Sequence, residues 1–135
     1  MNPLNKVFSI LETVVAHQSN GATYTDILEE LGLPKSTVHR LLKDLTDIGY
    51  ITFNTKTKRY YGSLKLAKLG ADVMSNFQLR KHIRPYLLKL HQESGYTTNL
   101  GVRDGLMGVF VDKIEAKDFG VKLFSELGKT FPLHC

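Results

Sequence analysis

The pattern of apolar and polar positions predicts three helices at the start of the chain. Apolar side chains recur every three or four residues over residues 4–15, which is the period of one buried helix face. Residues 25–31 are expected to form a second, short helix, with Thr25 as its N-cap and Gly32 at its end. A third helix is expected over residues 34–48, because its proline suits a first turn and a glycine follows its last residue.

Beyond these helices the pattern changes to the β-branched and aromatic residues typical of strands. Residues 50–53 and 59–61 flank a polar turn with basic residues at 54–58, and together they predict a hairpin. Residues 64–79 are expected to form a helical connector that is broken at Gly70.

The second half of the chain predicts one more helix and a second β region. The helix is expected to have Pro85 near its start or at a kink. Strands are expected over residues 99–102 and 106–111, joined by a compact Asp-Gly turn at 103–105. Residues 121–124 are a candidate third strand. This order of elements predicts an α+β fold.

The two sides of the third predicted helix differ in chemistry. Apolar residues are expected to share the inward side, namely Val38, Leu41, Leu42, Leu45 and Ile48. Hydrogen-bond donors lie on or beside the opposite side: Lys35, Ser36, Thr37, His39, Arg40 and Lys43. Recognition helices present such donors to base edges in the major groove. The alternative is a solvated polar face on a core helix, but the short turn before the helix and the hairpin after it favour DNA binding.

The hairpin is expected to act as the wing of a winged helix-turn-helix. Lys56, Lys58 and Arg59 cluster at or beside its tip, where they can reach a phosphate backbone or a minor groove. The alternative role of such basic residues is to protect a strand edge from aggregation. Residues 1–70 hold nine Lys and Arg against six Asp and Glu, whereas residues 96–135 hold five of each. The excess of positive charge therefore favours a negatively charged partner for the first part of the chain.

The sequence argues against several other classes of protein. It has neither the roughly 18-residue apolar run of a membrane span nor a secretory signal, and its one cysteine cannot build an internal disulfide framework. A cytoplasmic location is therefore expected. The histidines show no metal-ligand spacing with acids or cysteines, and no glycine-rich phosphate loop is present. We expect no catalytic residue, no metal, no cofactor and no enzymatic activity.

Several segments of the sequence resemble the IclR family of bacterial transcriptional regulators. They are residues 32–42 (GLPKSTVHRLL), 59–62, 66–70, 85–87 and 128–134. The resemblance implies an N-terminal winged helix-turn-helix, a linker helix and an effector-binding domain of GAF-like α/β fold. By position we assign residues 1–62 to the first, 63–79 to the second and 80–135 to the N-terminal part of the third.

The resemblance also implies a mode of action. Members of this family bind palindromic double-stranded operators, usually as homodimers, and respond to small organic acids, so a homodimer or a higher oligomer is expected. By position, the residues expected to read DNA are Lys35, Ser36, Thr37, His39 and Arg40. The family continues beyond the motif at residues 132–134, so the effector pocket is expected to be incomplete and the chain to bind DNA without responding to an effector. An alternative is a short partner that forms mixed dimers with a full-length regulator. The operator, the effector and the sign of regulation stay open.

Overall fold

The computed structural model describes residues 2–116 and 126–134, and the chain divides into two compact units, Met1–Asp72 and Val73–Cys135. The first unit contains, in chain order, α1 (Pro3–Ala16), β1 (Ala22–Thr23), α2 (Tyr24–Leu31), α3 (Lys35–Asp47), β2 (Ile51–Asn54) and β3 (Arg59–Gly62). The division falls within α4 (Leu64–Ser75). The second unit continues with α5 (Gln78–Ser94), β4 (Thr98–Asp104), β5 (Met107–Ile114) and β6 (Thr130–Pro132). Five helices and two small sheets within residues 2–116 and 126–134 confirm the predicted α+β class.

One hydrophobic core holds α1, α2, α3 and the small sheet together in the first unit. Its buried members are Ile10, Val14, Ala22, Ile27, Val38, Leu41, Leu42, Leu45 and Ile51. Each fully buried aliphatic side chain contributes about 1.5–3 kcal/mol relative to an exposed one. Four of the five residues predicted to face inward from the third helix do so. The prediction was wrong for Ile48, which is 57% exposed, because it caps α3 where the chain leaves the core.

The N-cap of the second helix lies two residues earlier than the sequence predicted. Thr23 and Asp26 form a capping box: the backbone N–H of Asp26 donates to Thr23 Oγ1 at 3.1 Å, and that of Thr23 donates to Asp26 Oδ2 at 2.8 Å. The predicted N-cap, Thr25, lies inside the first turn of α2 instead. Thr23 has the better position because an acid stands three residues after it and can return the hydrogen bond. Gly32 ends the helix in the left-handed conformation, as predicted.

The predicted hairpin is confirmed and is joined by one strand that the pattern did not indicate. β2 and β3 pair antiparallel, from Ile51 opposite Gly62 to Asn54 opposite Arg59. The two residues of β1 pair with the other edge of β3, so the strand order is β1-β3-β2. A strand of two residues is too short to show an alternating pattern.

The predicted break in the connector was placed wrongly. α4 continues through Gly70 and ends at Ser75, and α5 begins at Gln78. A glycine inside a helix costs only about 1 kcal/mol relative to alanine, so it need not end one. Phe77, in extended conformation, is instead the N-cap of α5. Pro85 lies within α5.

In the second unit, α5 packs against β4 and β5 of an antiparallel sheet ordered β4-β5-β6. The pairing of β4 with β5 continues to Asp104 opposite Met107, so the predicted turn at 103–105 was placed too early. The turn consists of residues 105 and 106, and Gly105 has a φ of 59°. β6 was not predicted, and the candidate third strand at 121–124 lies outside the described residues. No helix in the described parts of the chain is long and apolar enough to cross a membrane.

Candidate DNA-binding surface

The helix-turn-helix is formed by α2 and α3 with a three-residue connection between them. Ile27 of α2 and Val38 of α3 are both fully buried in the shared core. The Tyr24 hydroxyl donates to the backbone carbonyl of Lys35 at 2.9 Å, which ties the start of α2 to the start of α3. This bond and the core fix the N-terminal end of α3, the end that carries most of the predicted donors.

The outer face of α3 is polar and accessible. Five of the six predicted donors are exposed and the sixth, Thr37, is half-buried. Two of the exposed cations already have partners on the same helix. Arg40 Nη1 lies 3.3 Å from Asp44 Oδ2, and Lys43 Nζ lies 3.8 Å from Asp47 Oδ2. All four side chains are more than half exposed, so these pairs are weak, contributing about 0.3–0.5 kcal/mol each.

The wing has a turn that is shaped by its own side chains. Asn54 Oδ1 accepts hydrogen bonds from the backbone N–H groups of Lys56 at 3.0 Å and of Thr57 at 3.1 Å. Lys58 has a φ of 55°, which lets the chain reverse, and its ammonium lies 6.0 Å from the centroid of the Phe53 ring. Lys56 and Lys58 are both exposed at the tip, as the sequence predicted.

Arg59 differs from the two lysines of the wing. It is half-buried at the start of β3, and its Nη1 donates to the backbone carbonyl of Gly21 at 2.8 Å. This bond connects the hairpin to the loop that precedes β1. The structure therefore gives Arg59 a role within the fold that the sequence did not suggest.

A groove of about 220 Å³ separates α3 from the wing. His39 and Lys43 lie on its α3 side, and Phe53 and Tyr60 lie on its wing side with their ring centroids 4.6 Å apart. Burial and, to a lesser degree, the nearby Tyr24 raise the pKa of Tyr60 above its usual 10.0, so its hydroxyl stays protonated at neutral pH. No role in the site was predicted for Phe53. Phe53 stands two residues after the buried Ile51, and this spacing is the signal that places both side chains on one face of β2.

The described residues contain no cluster that could bind a metal ion. No group of three His, Cys, Asp or Glu side chains within residues 2–116 and 126–134 is arranged to hold a metal ion. A His–acid pair joins His17 Nε2, at the end of α1, to Glu30 Oε1 of α2 at 2.5 Å. This pair links two helices of the core.

Taken together, a short turn between two helices, a donor-rich outer face on the second of them and a basic hairpin define a winged helix-turn-helix of the class that contacts duplex DNA. Comparison with known proteins agrees with this class. Residues 3–55 match the model of the IclR helix-turn-helix domain, and residues 71–135 match that of the bacterial transcriptional regulator IclR C-terminal domain. The chain belongs to the IclR family, as its sequence motifs indicated.

Relatives and solved structures support the same assignment. The chain is 37% identical over 118 residues to the HTH-type transcriptional regulator XynR of Escherichia coli K12, covering 87% of this chain and 46% of that protein. It is 29% identical over 129 residues to KdgR of Dickeya chrysanthemi, covering 96% of this chain and 41% of that protein. The structure of an IclR family transcriptional regulator from Brucella abortus matches 98% of this chain and 49% of that one, with a TM-score of 0.81 and 25% identity.

Two further points follow from these matches. The chain spans less than half the length of these two curated relatives. The family and the relatives are transcriptional regulators and not enzymes. This confirms the predicted class of protein, a transcriptional regulator.

Proposed function

We propose that this chain binds duplex DNA in a sequence-dependent manner and regulates transcription. The observation that carries the proposal is the outer face of α3, where exposed donors stand opposite the buried side chains of Val38, Leu41, Leu42 and Leu45. On this proposal α3 enters the major groove and its N-terminal half contacts base edges. The residues that would read bases are Lys35, Ser36, Thr37, His39 and Arg40.

The remaining basic residues would contact the backbone of the DNA. Lys43 on α3 and Lys56 and Lys58 on the wing are exposed cations that can neutralise phosphates. Arg59 has donors beyond the one that binds Gly21, and on this proposal they add a contact beside the wing. Each neutralised phosphate steepens the dependence of the association constant on salt by about 0.9 in a log–log plot.

The proposal extends to the arrangement of the whole regulator. Residues 1–62 would form the DNA-binding domain, residues 63–79 the linker and residues 80–135 part of the effector-binding domain. α4 has no buried residue, and Leu64, Leu69 and Val73 are exposed along it. We propose that these apolar side chains pack against a second copy, so that a homodimer binds a palindromic operator, and that a small organic acid is the effector.

The decisive experiment separates base reading from phosphate binding. A bound sequence is first selected from a pool of random duplexes, and affinities for this sequence and for a random duplex are then measured by fluorescence anisotropy. Arg40→Ala is expected to weaken binding to the selected sequence by about 1–3 kcal/mol and to relax sequence preference. Lys58→Ala is expected to weaken binding to both duplexes about equally, because a phosphate contact carries no sequence information.

Lys68→Ala is the matched control, since Lys68 is an exposed lysine on α4, outside both α3 and the wing. It removes the same charge and is expected to have a smaller effect than either variant. Failure of the wild-type chain to bind any duplex at low salt would contradict the proposed function. An equal loss on both duplexes for Arg40→Ala would assign this side chain to a phosphate instead of a base.

A further inference from the structure

The C-terminal end of α3 is closed by a backbone motif that leaves the carbonyl groups of Ile48 and Gly49, among others, for other partners. The backbone N–H of Tyr50 donates to Leu45 O at 2.9 Å, and that of Gly49 donates to Thr46 O at 3.0 Å. This is a Schellman arrangement, with Gly49 at a φ of 81°. The carbonyls of Ile48 and Gly49 come after those that the motif satisfies, and Ile48, as the C-cap residue, lies at the negative end of the helix dipole.

Both carbonyls are bound by the residues that begin α4. The ammonium of Lys65 donates to Ile48 O at 2.9 Å and also lies 4.2 Å from the centroid of the Tyr50 ring. The hydroxyl of Ser63 donates to Gly49 O at 2.6 Å, and the backbone N–H of Ser63 donates to Tyr50 O at 3.0 Å. Lys65 thus combines a hydrogen bond, a cation–π contact and a favourable position at a helix C-terminus.

Ser63 also caps the N-terminal end of α4. Its Oγ accepts a hydrogen bond from the backbone N–H of Lys65 at 3.2 Å, as an N-cap does. One hydroxyl therefore joins the first turn of α4 to the carbonyl of Gly49, which follows the C-cap of α3. These contacts all lie within the first unit, and they fix the C-terminal end of α3 as the Tyr24 bond to Lys35 fixes its N-terminal end.

We propose that Ser63 and Lys65 are positioning residues for sequence recognition: they hold the recognition helix at one angle, so that its donors meet base edges. Hydrogen bonds to bases are directional and fail when the helix tilts, whereas contacts of flexible lysines with phosphates tolerate such a change. Removing the contacts of Ser63 and Lys65 should therefore reduce binding to the preferred sequence more than binding to random DNA. The inference rests on the proposed function of α3.

Lys65→Met tests it, because methionine keeps an unbranched stem but loses the charge and the donor. Affinities for the selected duplex and for a random duplex are measured at one salt concentration, well below the melting temperature. The expected result is a several-fold fall in their ratio. Lys68→Met, which removes the same charge one turn along the exposed side of α4, should leave the ratio unchanged. The conservative variant Lys65→Arg should keep most of the wild-type ratio.

Ser63→Ala provides a second variant that changes no charge, and it is expected to lower the ratio in the same direction. Melting temperatures of all variants show whether each is folded, and the ratio is compared only between folded proteins. An unchanged ratio in Lys65→Met and Ser63→Ala, or a fall that Lys68→Met reproduces, would overturn the inference while the proposed function stands. A wild-type chain without any sequence preference would contradict both.

Discussion

Asp112 joins α5 to the sheet of the second unit, and its removal offers the sharpest test of how that unit is held together. Its side chain is 1% exposed and accepts hydrogen bonds from Arg84 Nη1 at 2.6 and 2.7 Å and from the backbone N–H of Lys113 at 2.9 Å. Arg80 Nη2 lies 3.5 Å away. Burial opposes the charge most strongly, but the hydrogen bonds from Arg84, Lys113 and Arg80 together outweigh it and hold the pKa of Asp112 below its usual 3.8.

The change Asp112→Asn keeps the size of this side chain and removes its charge. The amide then turns an NH₂ group or a neutral oxygen toward two guanidinium groups. Breaking a buried ion pair costs about 3–5 kcal/mol when the remaining charge stays buried. The side chains of Arg84 and Arg80 are 45% and 29% exposed, so water replaces part of the lost interaction. We therefore expect the free energy of unfolding to fall by about 2–3 kcal/mol at neutral pH.

The pH dependence of this effect has a definite sign. Because the pKa of Asp112 is lower in the folded state than in the unfolded one, the carboxylate stabilises the fold fully above the unfolded value. That stabilisation is lost as the pH falls through the folded pKa. The difference between wild type and Asp112→Asn should therefore be constant near neutral pH and should shrink only below a pH of about 4.

The measurement is chemical denaturation followed by far-UV circular dichroism, together with hydrogen exchange of the β4 and β5 amides to follow the second unit itself. Asp104→Asn is the matched control, since Asp104 is an exposed carboxylate on β4 of the same sheet. Its effect should stay within about 0.5 kcal/mol. Equal stability of the two variants, or a difference that grows on acidification, would refute this account of Asp112.

Two further predictions concern local features of the fold. Thr23→Ala should cost about 1 kcal/mol because it removes half of the capping box with Asp26, whereas Thr25→Ala should cost much less; equal losses in thermal unfolding would contradict the assignment of the cap. Gly108→Ala should weaken the pairing of β5 with β6, because a Cβ at this position would collide with the ring of Phe131. Faster hydrogen exchange of the β5 amides in this variant would show it, and unchanged exchange would mean that the ring moves aside without cost.

The parts of the fold that the sequence predicted are those fixed by local periodicity. The period of apolar residues identifies the buried side of an amphipathic helix. Val38 and Leu42 could therefore be assigned to the core, and their polar neighbours to the surface, from the sequence alone. The same reasoning failed for Ile48. Ile48 fits the period of the apolar side of α3 but is the C-cap residue of this helix. The position of a helix end depends on the residues that follow it.

Contacts between distant parts of the chain could not be predicted in this way. The guanidinium of Arg59 binds a carbonyl 38 residues earlier, and that of Arg84 binds a carboxylate 28 residues later. The sequence pattern placed Arg59 among the DNA-contacting residues of the wing and indicated no partner for Arg84. Neither charge pattern nor periodicity specifies such partners, because they arise only when the elements have packed. The sequence therefore predicted the surface of the candidate site better than the contacts that support it.

The free energies of the surface pairs suggest why the donors of α3 remain available for DNA. Arg40 and Lys43 are each paired with an acid one turn along the same helix, and all four side chains are largely exposed. An exposed pair of this kind contributes only a few tenths of a kcal/mol, whereas a hydrogen bond from a cation to phosphate or to a guanine edge contributes more and releases counterions. On the proposed binding mode these acids hold the long side chains near the groove at little cost and are displaced by the DNA. Asp44→Asn should accordingly strengthen binding to random duplexes, because it removes a competing negative charge without altering the buried side of α3.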